Sequence, residues 1–378
     1  MIYVQHLLGV GHLQRALLLA EALTQRGFQV EIASGGMPQA LALPAGVKLR
    51  QLSPVRSADG SFSRLLGEQD REIDDAWRER RQQQLLDLFY RSAPEVLITE
   101  TFPFGRRMFG FELLPLLESA RSSRTCRLVV ASIRDILQPK RKPGRNQETC
   151  ELIETFYDLV LVHGDERISR LEDSFALAAR IGDKLSYTGY ISRSAETTAE
   201  DRQNEVVVSA GGSDTGIEIL KTAIAARPLS PAADSPWRIL VSPSIGETEY
   251  LALQALATDG ITVERNRNDF PQLLARARMS ISQAGYNTIT DLLACGTPAV
   301  VIPYAEADEV EQSLRAELLR RRGRVVMLAQ AQLSALALAG AMAESARLES
   351  HFEVSLDGAS RSAELIAARL LEQGGSRL

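Results

Sequence analysis

Met279-Ser280-Ile281-Ser282-Gln283-Ala284-Gly285-Tyr286-Asn287-Thr288-Ile289-Thr290-Asp291 sets a strand, a small-residue loop and the first turns of a helix directly after one another. A loop of this kind leaves the first amides of the helix without intrahelical partners, which suits an anion lying beyond the strand end. Gly285, Tyr286 and Asn287 form the turn, and Thr288 adds a hydroxyl in the first helical turn. Asp291 lies three residues further, roughly one turn along the same face. A carboxylate there can accept two ribose hydroxyls, as acidic residues do in nucleotide sites. The chain runs on through Cys295-Gly296-Thr297-Pro298 into the apolar run Ala299–Ile302, then through Pro303 to the acidic segment Glu306–Gln312. Acidic residues in a first turn favour the helix dipole whatever the function. Glu311 and Gln312 are nevertheless candidates for contacts with donor sugar hydroxyls.

The same pattern recurs twice towards the N-terminus. Val206–Ser209 leads into Ala210-Gly211-Gly212-Ser213-Asp214, where Gly211, Gly212 and Ser213 offer open amides and a hydroxyl that suit a diphosphate. Ile2–Gln5 leads into Gly9-Val10-Gly11-His12-Leu13-Gln14-Arg15, which opens a helix over Leu13–Arg26 ended by Gly27. That loop lacks the third glycine of a dinucleotide fingerprint; Ala16 follows Arg15 where it would stand. His12, at the helix start, has an unperturbed pKa of roughly 6.5 and can take a proton near neutral pH.

Further short apolar runs alternate with helical segments. They are Gln29–Ala33, Val47–Leu52, Val96–Ile98, Leu128–Ala131 and Leu159–Val162, then Ile239–Val241, Ile261–Val263, Thr297–Ile302 and Arg324–Met327. Ser53–Gly67 reads as loop, Glu68–Arg91 as a charged helix, and Ala329–Arg347 and Ala359–Glu372 as closing helices. Such alternation predicts parallel sheets covered on both faces, hence two doubly wound, Rossmann-like α/β domains. Ser192–Asn204 has almost no apolar content. It divides the chain into an N-terminal domain over 1–191, a linker over 192–204 and a C-terminal domain over 205–378. Ligands bind outside the carboxyl ends of such strands, so two facing domains would make a cleft lined by post-strand loops. One such loop, Thr99-Glu100-Thr101-Phe102-Pro103-Phe104-Gly105-Arg106-Arg107, offers Glu100 as an acceptor contact or second base, and Arg106 or Arg107 for an anionic acceptor. Arg134, in Ser132-Ile133-Arg134-Asp135, is a further substrate-binding candidate or the partner of Asp135. His163 reads as a cleft residue or a structural one.

The bulk numbers agree. A chain of 378 residues with 45% hydrophobic and 24% charged residues suits two cores of about 150–200 residues. A net charge of -5 builds no broad basic field, which argues against nucleic acid as a partner. Three cysteines without CxxC spacing argue against a disulfide framework or zinc site and fit reduced thiols in a cytoplasmic protein. No signal peptide is visible, and the apolar run Leu13–Leu23 is broken by Gln14, Arg15 and Glu21, so no transmembrane segment is expected. Peripheral membrane contact is left open. No Asp-x-Asp occurs, so no metal or cofactor is expected at a diphosphate.

Gly-x-Gly-His near the start, Gly-Gly-Ser after the linker and the stretch from Ser282 to Gln312 together resemble GT-B glycosyltransferases. The nearest kind is the lipid-intermediate N-acetylglucosaminyltransferase family of peptidoglycan synthesis, with its family 28-like C-terminal domain. The resemblance covers most of the chain in order and spacing. It implies a C-terminal domain that holds a UDP-sugar, an N-terminal domain that holds the acceptor, and an inverting, metal-free transfer. It implies that Gly11 and His12 lie beside the acceptor and the transferred sugar, with His12 a base or transition-state stabiliser; Arg15, one helical turn after His12, is a substrate-binding candidate that this family does not supply. It places Gly211, Gly212, Ser213 and Thr288 at the diphosphate and Asp291 where the family carries a ribose-binding Glu; Glu311 and Gln312 match only loosely. Gly-His-x-x-Arg departs from that family and is similar to the UDP-sugar hydrolase of pseudaminic acid synthesis, in which water would be the acceptor.

Overall fold

A computed structural model of the chain describes residues 1–7, 10–58, 64–139, 143–192, 203–211, 214–305, 309–348 and 353–375. The chain forms two compact units. The first comprises Met1–Glu166, Arg170–Ile191 and Asp357–Leu378; the second comprises Arg167–Ser169 and Ser192–Leu356. Most of the expected linker, 193–202, lies outside the described residues, as do Gly9, Gly212, Ser213 and Glu306.

The first unit contains, in chain order, β1 (Ile2–Val4), α1 (Gly11–Gln25), β2 (Val30–Ser34), β3 (Val47–Gln51), β4 (Arg56–Ser57), β5 (Leu65–Leu66), α2 (Asp75–Ser92), β6 (Val96–Glu100), α3 (Gly110–Ser122), β7 (Leu128–Arg134), α4 (Arg145–Phe156), β8 (Leu159–His163) and β9 (Leu185–Tyr187). Seven strands form one parallel sheet in the order β3-β2-β1-β6-β7-β8-β9. Alternate residues of the central strands feed two cores. Tyr3, Leu97, Val129 and Val160 enter one, and Ile2, Ile98, Val130 and Leu159 the other. Both faces are therefore covered, which is why these strands read as unbroken apolar runs. β4 and β5 form a small antiparallel pair in the stretch expected to be all loop. Its residues alternate too briefly to signal strand.

In α1 the spacing Leu13, Ala16, Leu17, Ala20, Leu23 makes one apolar stripe, and all five are buried. The helix ends in a Schellman arrangement: Gly27, at φ +87, donates to the Thr24 carbonyl, and Phe28 to that of Leu23.

The second unit contains β10 (Val206–Ser209), α5 (Asp214–Ala226), β11 (Trp237–Val241), α6 (Glu247–Ala255), β12 (Ile261–Arg265), α7 (Phe270–Arg276), β13 (Met279–Ser282), α8 (Tyr286–Cys295), β14 (Ala299–Val301), α9 (Glu311–Arg321), β15 (Val326–Met327) and α10 (Ala335–Ser345). Its six strands are parallel in the order β12-β11-β10-β13-β14-β15. In both sheets the first strand lies inside, and the chain builds one edge before returning to the other side. This creates a topological switch point beside β1 and β6 in one unit, and beside β10 and β13 in the other. Such points open a crevice at the carboxyl ends of the strands.

The last helix, α11 (Gly358–Gly375), corrects the expected domain boundary. Its place in the chain after the linker groups it with the second domain, but it belongs to the first unit. Ala363, Ile366 and Leu370 join the apolar cluster of Leu13, Ala16, Leu19 and Leu23 on α1. Arg26 pairs with Glu364, and an antiparallel bridge between Ile191 and Asp357 brings the departing and returning chain together. The apolar stripe of α11 records that it is covered; which sheet covers it depends on where the chain returns. Among the described residues, no helix is long and apolar enough to cross a membrane.

Candidate active site

In the first unit, the loops after β1 and β6 leave adjacent strands, with Ile2 opposite Ile98 and Tyr3 opposite Thr99. That register brings His12, the second residue of α1, against Glu100, the last residue of β6. Nδ1 of His12 lies 2.7 Å from Oε2 of Glu100. The carboxylate also receives hydrogen bonds from the Arg15 guanidinium and, at 2.7 Å, from the Thr101 hydroxyl. On the other side of the ring, the Arg106 guanidinium lies 3.2 Å from His12 Nε2. Arginine only donates and an ionised carboxylate only accepts. The Arg15 guanidinium also comes within 3.3 Å of Nδ1, but it is bound to Glu100 and the carboxylate contact at 2.7 Å is much the shorter, so the contacts select one tautomer, with Nδ1–H donated to Glu100 and the Nε2 lone pair facing Arg106.

The charges follow from the surroundings. Burial pushes Glu100 up, but the adjacent Arg15 guanidinium, the His12 ring and the hydrogen bonds from His12 and Thr101 outweigh it and hold the carboxyl well below its usual range. The His12 ring is pushed down to about 4, chiefly by burial. Glu100 opposes that shift, while Arg106 and Arg134 reinforce it. At neutral pH the pair is thus a neutral imidazole on a carboxylate. The His12 side chain keeps 16% of its exposure and that of Glu100 only 2%, so the ring is the accessible member.

The loop that carries Thr101 and Arg106 is held firmly. Phe102 and Phe104 are buried, and Phe104 packs edge-on to Phe175 with ring centroids 5.3 Å apart. Thr101 and Arg106 have left-handed backbones, at φ 70 and φ 57. Each costs about 1–3 kcal/mol for a residue with a side chain, a cost typical of sites whose geometry the surroundings impose.

Several expectations change here. Arg15, expected near the acceptor, is 4% exposed and bound to Glu100, so it supports the dyad from beneath. Glu100, expected as an alternative base, is occupied by three donors and orients the imidazole instead. Arg107 is taken by Glu148, the Arg145 carbonyl and Thr149. His163 is fully buried between the Ser132 and Thr188 hydroxyls, at 2.8 and 2.9 Å, which is a structural role. Gly11 stands in the first turn of α1, as expected for a loop that opens a helix. Arg134 ends β7, half-buried.

In the second unit, the loops after β10 and β13 are likewise neighbours, with Ser209 opposite Ser282. Gln283 joins them: its Oε1 accepts the Gly211 amide at 2.7 Å. That bond removes the Gly211 N–H from the donors expected to face a diphosphate. Gly212 and Ser213, which share that expectation, lie outside the described residues. Gly216 is also essential to this turn. A Cβ there would fall 1.9 Å from the Gly211 carbonyl oxygen, so only glycine lets α5 pass so close to the loop. Gly285 precedes α8, and a Cβ on it would meet nothing within 4 Å, so the space beside its Cα is open among the described residues. Asn287 and Thr288 are half-buried in the first turn, while Tyr286 and Asp291 are buried.

Arg315 of α9 clamps this loop. Its buried guanidinium donates to the Ala284 carbonyl at 3.2 Å, pairs with Glu311 at 2.9 Å and lies 5.6 Å from the centre of the Tyr286 ring. Glu311 and Gln312 therefore have structural partners: Glu311 holds Arg315, and the Gln312 Oε1 accepts the Tyr304 amide at 3.1 Å. Neither was readable as such, because their acidic and amide character fits donor contacts equally well. Gln283, Gly216 and Arg315 carried no sequence assignment. The only signal was the third glycine, five residues after Gly211. Among the described residues, no group of three or more His, Cys, Asp or Glu side chains is arranged to hold a metal ion.

Comparison with known proteins bears on the second half of the chain most directly. Residues 245–369 match the glycosyltransferase family 28 C-terminal domain. This segment runs past the second unit into α11. The UDP-N-acetylglucosamine–N-acetylmuramyl-(pentapeptide) pyrophosphoryl-undecaprenol N-acetylglucosamine transferase of Nostoc punctiforme is 41% identical over 68 residues, 18% of this chain and 19% of that protein. The enzyme of the same name from Paramagnetospirillum magneticum is 26% identical over 200 residues, 49% of this chain and 52% of that protein. The chain thus spans between about a fifth and about a half of the length of these two relatives. Among solved structures, the glycotransferase of kitacinnamycin superposes with a TM-score of 0.63 at 16% identity, covering 98% of each chain. The fold is that of the GT-B glycosyltransferases, two parallel-sheet Rossmann-like units.

Proposed function

We propose that this protein transfers a sugar from a nucleoside diphosphate sugar, UDP-linked, to an acceptor hydroxyl in one inverting displacement without a bound metal. The observation that carries the chemistry is the His12–Glu100 pair, a neutral imidazole whose far nitrogen points away from an ionised, buried carboxylate. The acceptor oxygen attacks the anomeric carbon and gives its proton to His12 Nε2, and the imidazolium that forms is stabilised by Glu100. The bond from the anomeric carbon to the diphosphate oxygen breaks, and its electron pair leaves with the nucleoside diphosphate. The N-terminus of α8, with Thr288 in its first turn, supplies amides and a dipole for that charge. The family 28 match over 245–369 supports assigning the donor to this part of the chain. The relatives named for UDP-N-acetylglucosamine support UDP as the nucleotide.

The alternative is hydrolysis, with water as the acceptor. What favours it is Arg15: the arginine of Gly-His-x-x-Arg builds the dyad and presents nothing to an acceptor. A thermal-shift panel of UDP-, dTDP- and GDP-sugars in the presence of EDTA tests the proposal. A UDP-sugar at about 100 times its Kd should stabilise the fold by about 2.7 kcal/mol. No stabilisation by any nucleotide sugar would overturn it. Rapid UDP release without acceptor would select the hydrolase, and activity lost to EDTA and restored by Mg²⁺ would reject the metal-free step.

The ribose contact is separately testable. Asp291→Asn keeps the shape and removes the carboxylate, and should weaken UDP binding about tenfold, the scale of a hydrogen bond to a charged group. Unchanged affinity by calorimetry would remove Asp291 from the nucleotide site.

A further inference from the structure

Arg106 has no place in the step just described, yet it occupies the atom on which that step depends. Its NH2 group lies 3.2 Å from His12 Nε2, the nitrogen that must receive the acceptor proton. Its Nε donates to the Gln5 carbonyl at 3.0 Å, so the guanidinium is held at two points. Gln5 is itself fixed. Its side chain accepts from Arg81 at 2.8 Å and donates to the His6 carbonyl at 2.9 Å. Arg81 is fully buried and paired with Glu112 at 3.0 Å. A line of buried contacts therefore runs from the core of the first unit to the guanidinium. The left-handed backbone of Arg106, at φ 57, shows that the loop accepts strain to hold the side chain there.

We propose that Arg106 is a gate on the base: its guanidinium occupies the His12 lone pair until an acceptor hydroxyl displaces it, and so keeps water from being activated in its place. This rests on His12 being the base of the proposed reaction. A donor N–H and an acceptor O–H cannot both use one imidazole lone pair, so the gate must open before proton transfer. A cation beside Nε2 also disfavours the protonated ring. The charged groups acting on that ring are Glu100 at the end of β6, Arg15 on α1, Arg106 on the loop after β6 and Arg134 at the end of β7. Of these, Arg106 alone bonds Nε2 in the described contacts, and only its removal both frees the lone pair and relieves the repulsion. A transferase benefits because a silent base does not cleave the donor before the acceptor arrives.

The test begins with the ligand-free protein and needs no substrate. ¹⁵N NMR of wild-type His12 at neutral pH should show Nδ1 protonated and Nε2 bare; the opposite tautomer would overturn the gate. In Arg106→Gln, the His12 pKa should rise from about 4 to about 5, on the scale of one nearby charge, while Arg106→Lys should stay near the wild-type value. An unchanged pKa in Arg106→Gln rejects the proposal. With UDP-N-acetylglucosamine as the probe and no acceptor, UDP release should be about tenfold faster in Arg106→Gln than in wild type, the scale of one lost hydrogen bond. Slower release would make Arg106 an activator instead and overturn the gate. If no nucleotide sugar binds or is cleaved by either protein, the transferase reading fails, while the NMR results still decide whether Arg106 masks His12.

Discussion

His12→Ala is expected to lower turnover of the nucleotide sugar by about 10²–10⁴-fold, the usual contribution of a positioned general base. UDP affinity should be unchanged, because the proposed nucleotide contacts lie on α8 in the second unit. The loss should appear in kcat rather than in donor binding, since removing the ring removes an interaction made as the proton moves. The pH dependence carries the same signature. With its pKa pushed down to about 4, the free ring is neutral and competent above that pH, and competence is lost as pH falls through it. An unperturbed histidine would lose it near pH 6.5. The acidic limb of kcat/KM should therefore lie well below 6.5. Stability has the same sign. The unfolded chain binds a proton at His12 between about 6.5 and 4 while the folded chain does not, so folding weakens as pH falls across that window. His163, pushed down to about 3 chiefly by burial, adds to this loss. Unaltered turnover in His12→Ala would remove the base assignment.

Arg81→Ala is expected to destabilise the first unit by about 3–5 kcal/mol, the range for removing one member of a buried ion pair. Arg81 and Glu112 are both fully buried, and the Tyr3 hydroxyl donates to the same carboxylate at 2.5 Å. Without Arg81, Glu112 must stay charged and unpaired or take up a proton. Burial already raises the Glu112 pKa, against the opposing pull of Arg81 and the Tyr3 hydrogen bond. Losing the cation raises it further, so the penalty should be smaller in denaturant melts at pH 5 than at pH 7. A loss below about 1 kcal/mol at both pH values would show that the pair contributes little beyond its hydrogen bonds. The same substitution removes the donor to the Gln5 side-chain oxygen and leaves only its bonds through the amide nitrogen, so a folded Arg81→Ala protein should also lose definition at Arg106.

Much of this was readable from residues alone. The short apolar runs, the glycine loops and the alternation of period announce two doubly wound sheets, because strands buried on both faces must be apolar throughout. The chemistry-bearing residues His12, Glu100 and Gly285 stand out because they follow strands, where such folds place ligands. Their partners were not readable. Arg15 and Arg106 look like cleft cations in the sequence, and only the β1–β6 register turns one into the support of Glu100 and the other into the cover of His12. Gln283 and Gly211 are 72 positions apart and meet because β10 and β13 are neighbours. Helix α11 shows the same limit at larger scale: its stripe of Ala363, Ile366 and Leu370 specifies burial, and α1, in the same unit but more than 300 positions earlier, supplies the cover.

The sequence by itself thus determined the fold class and the kind of residue at each loop. Local periodicity and turn chemistry act over a few positions and are written in them. The tertiary structure alone decided which side chain meets which, and so which histidine nitrogen is held, which is covered, and which carboxylate stays charged. Those outcomes depend on strand order and burial, which join residues far apart in the chain.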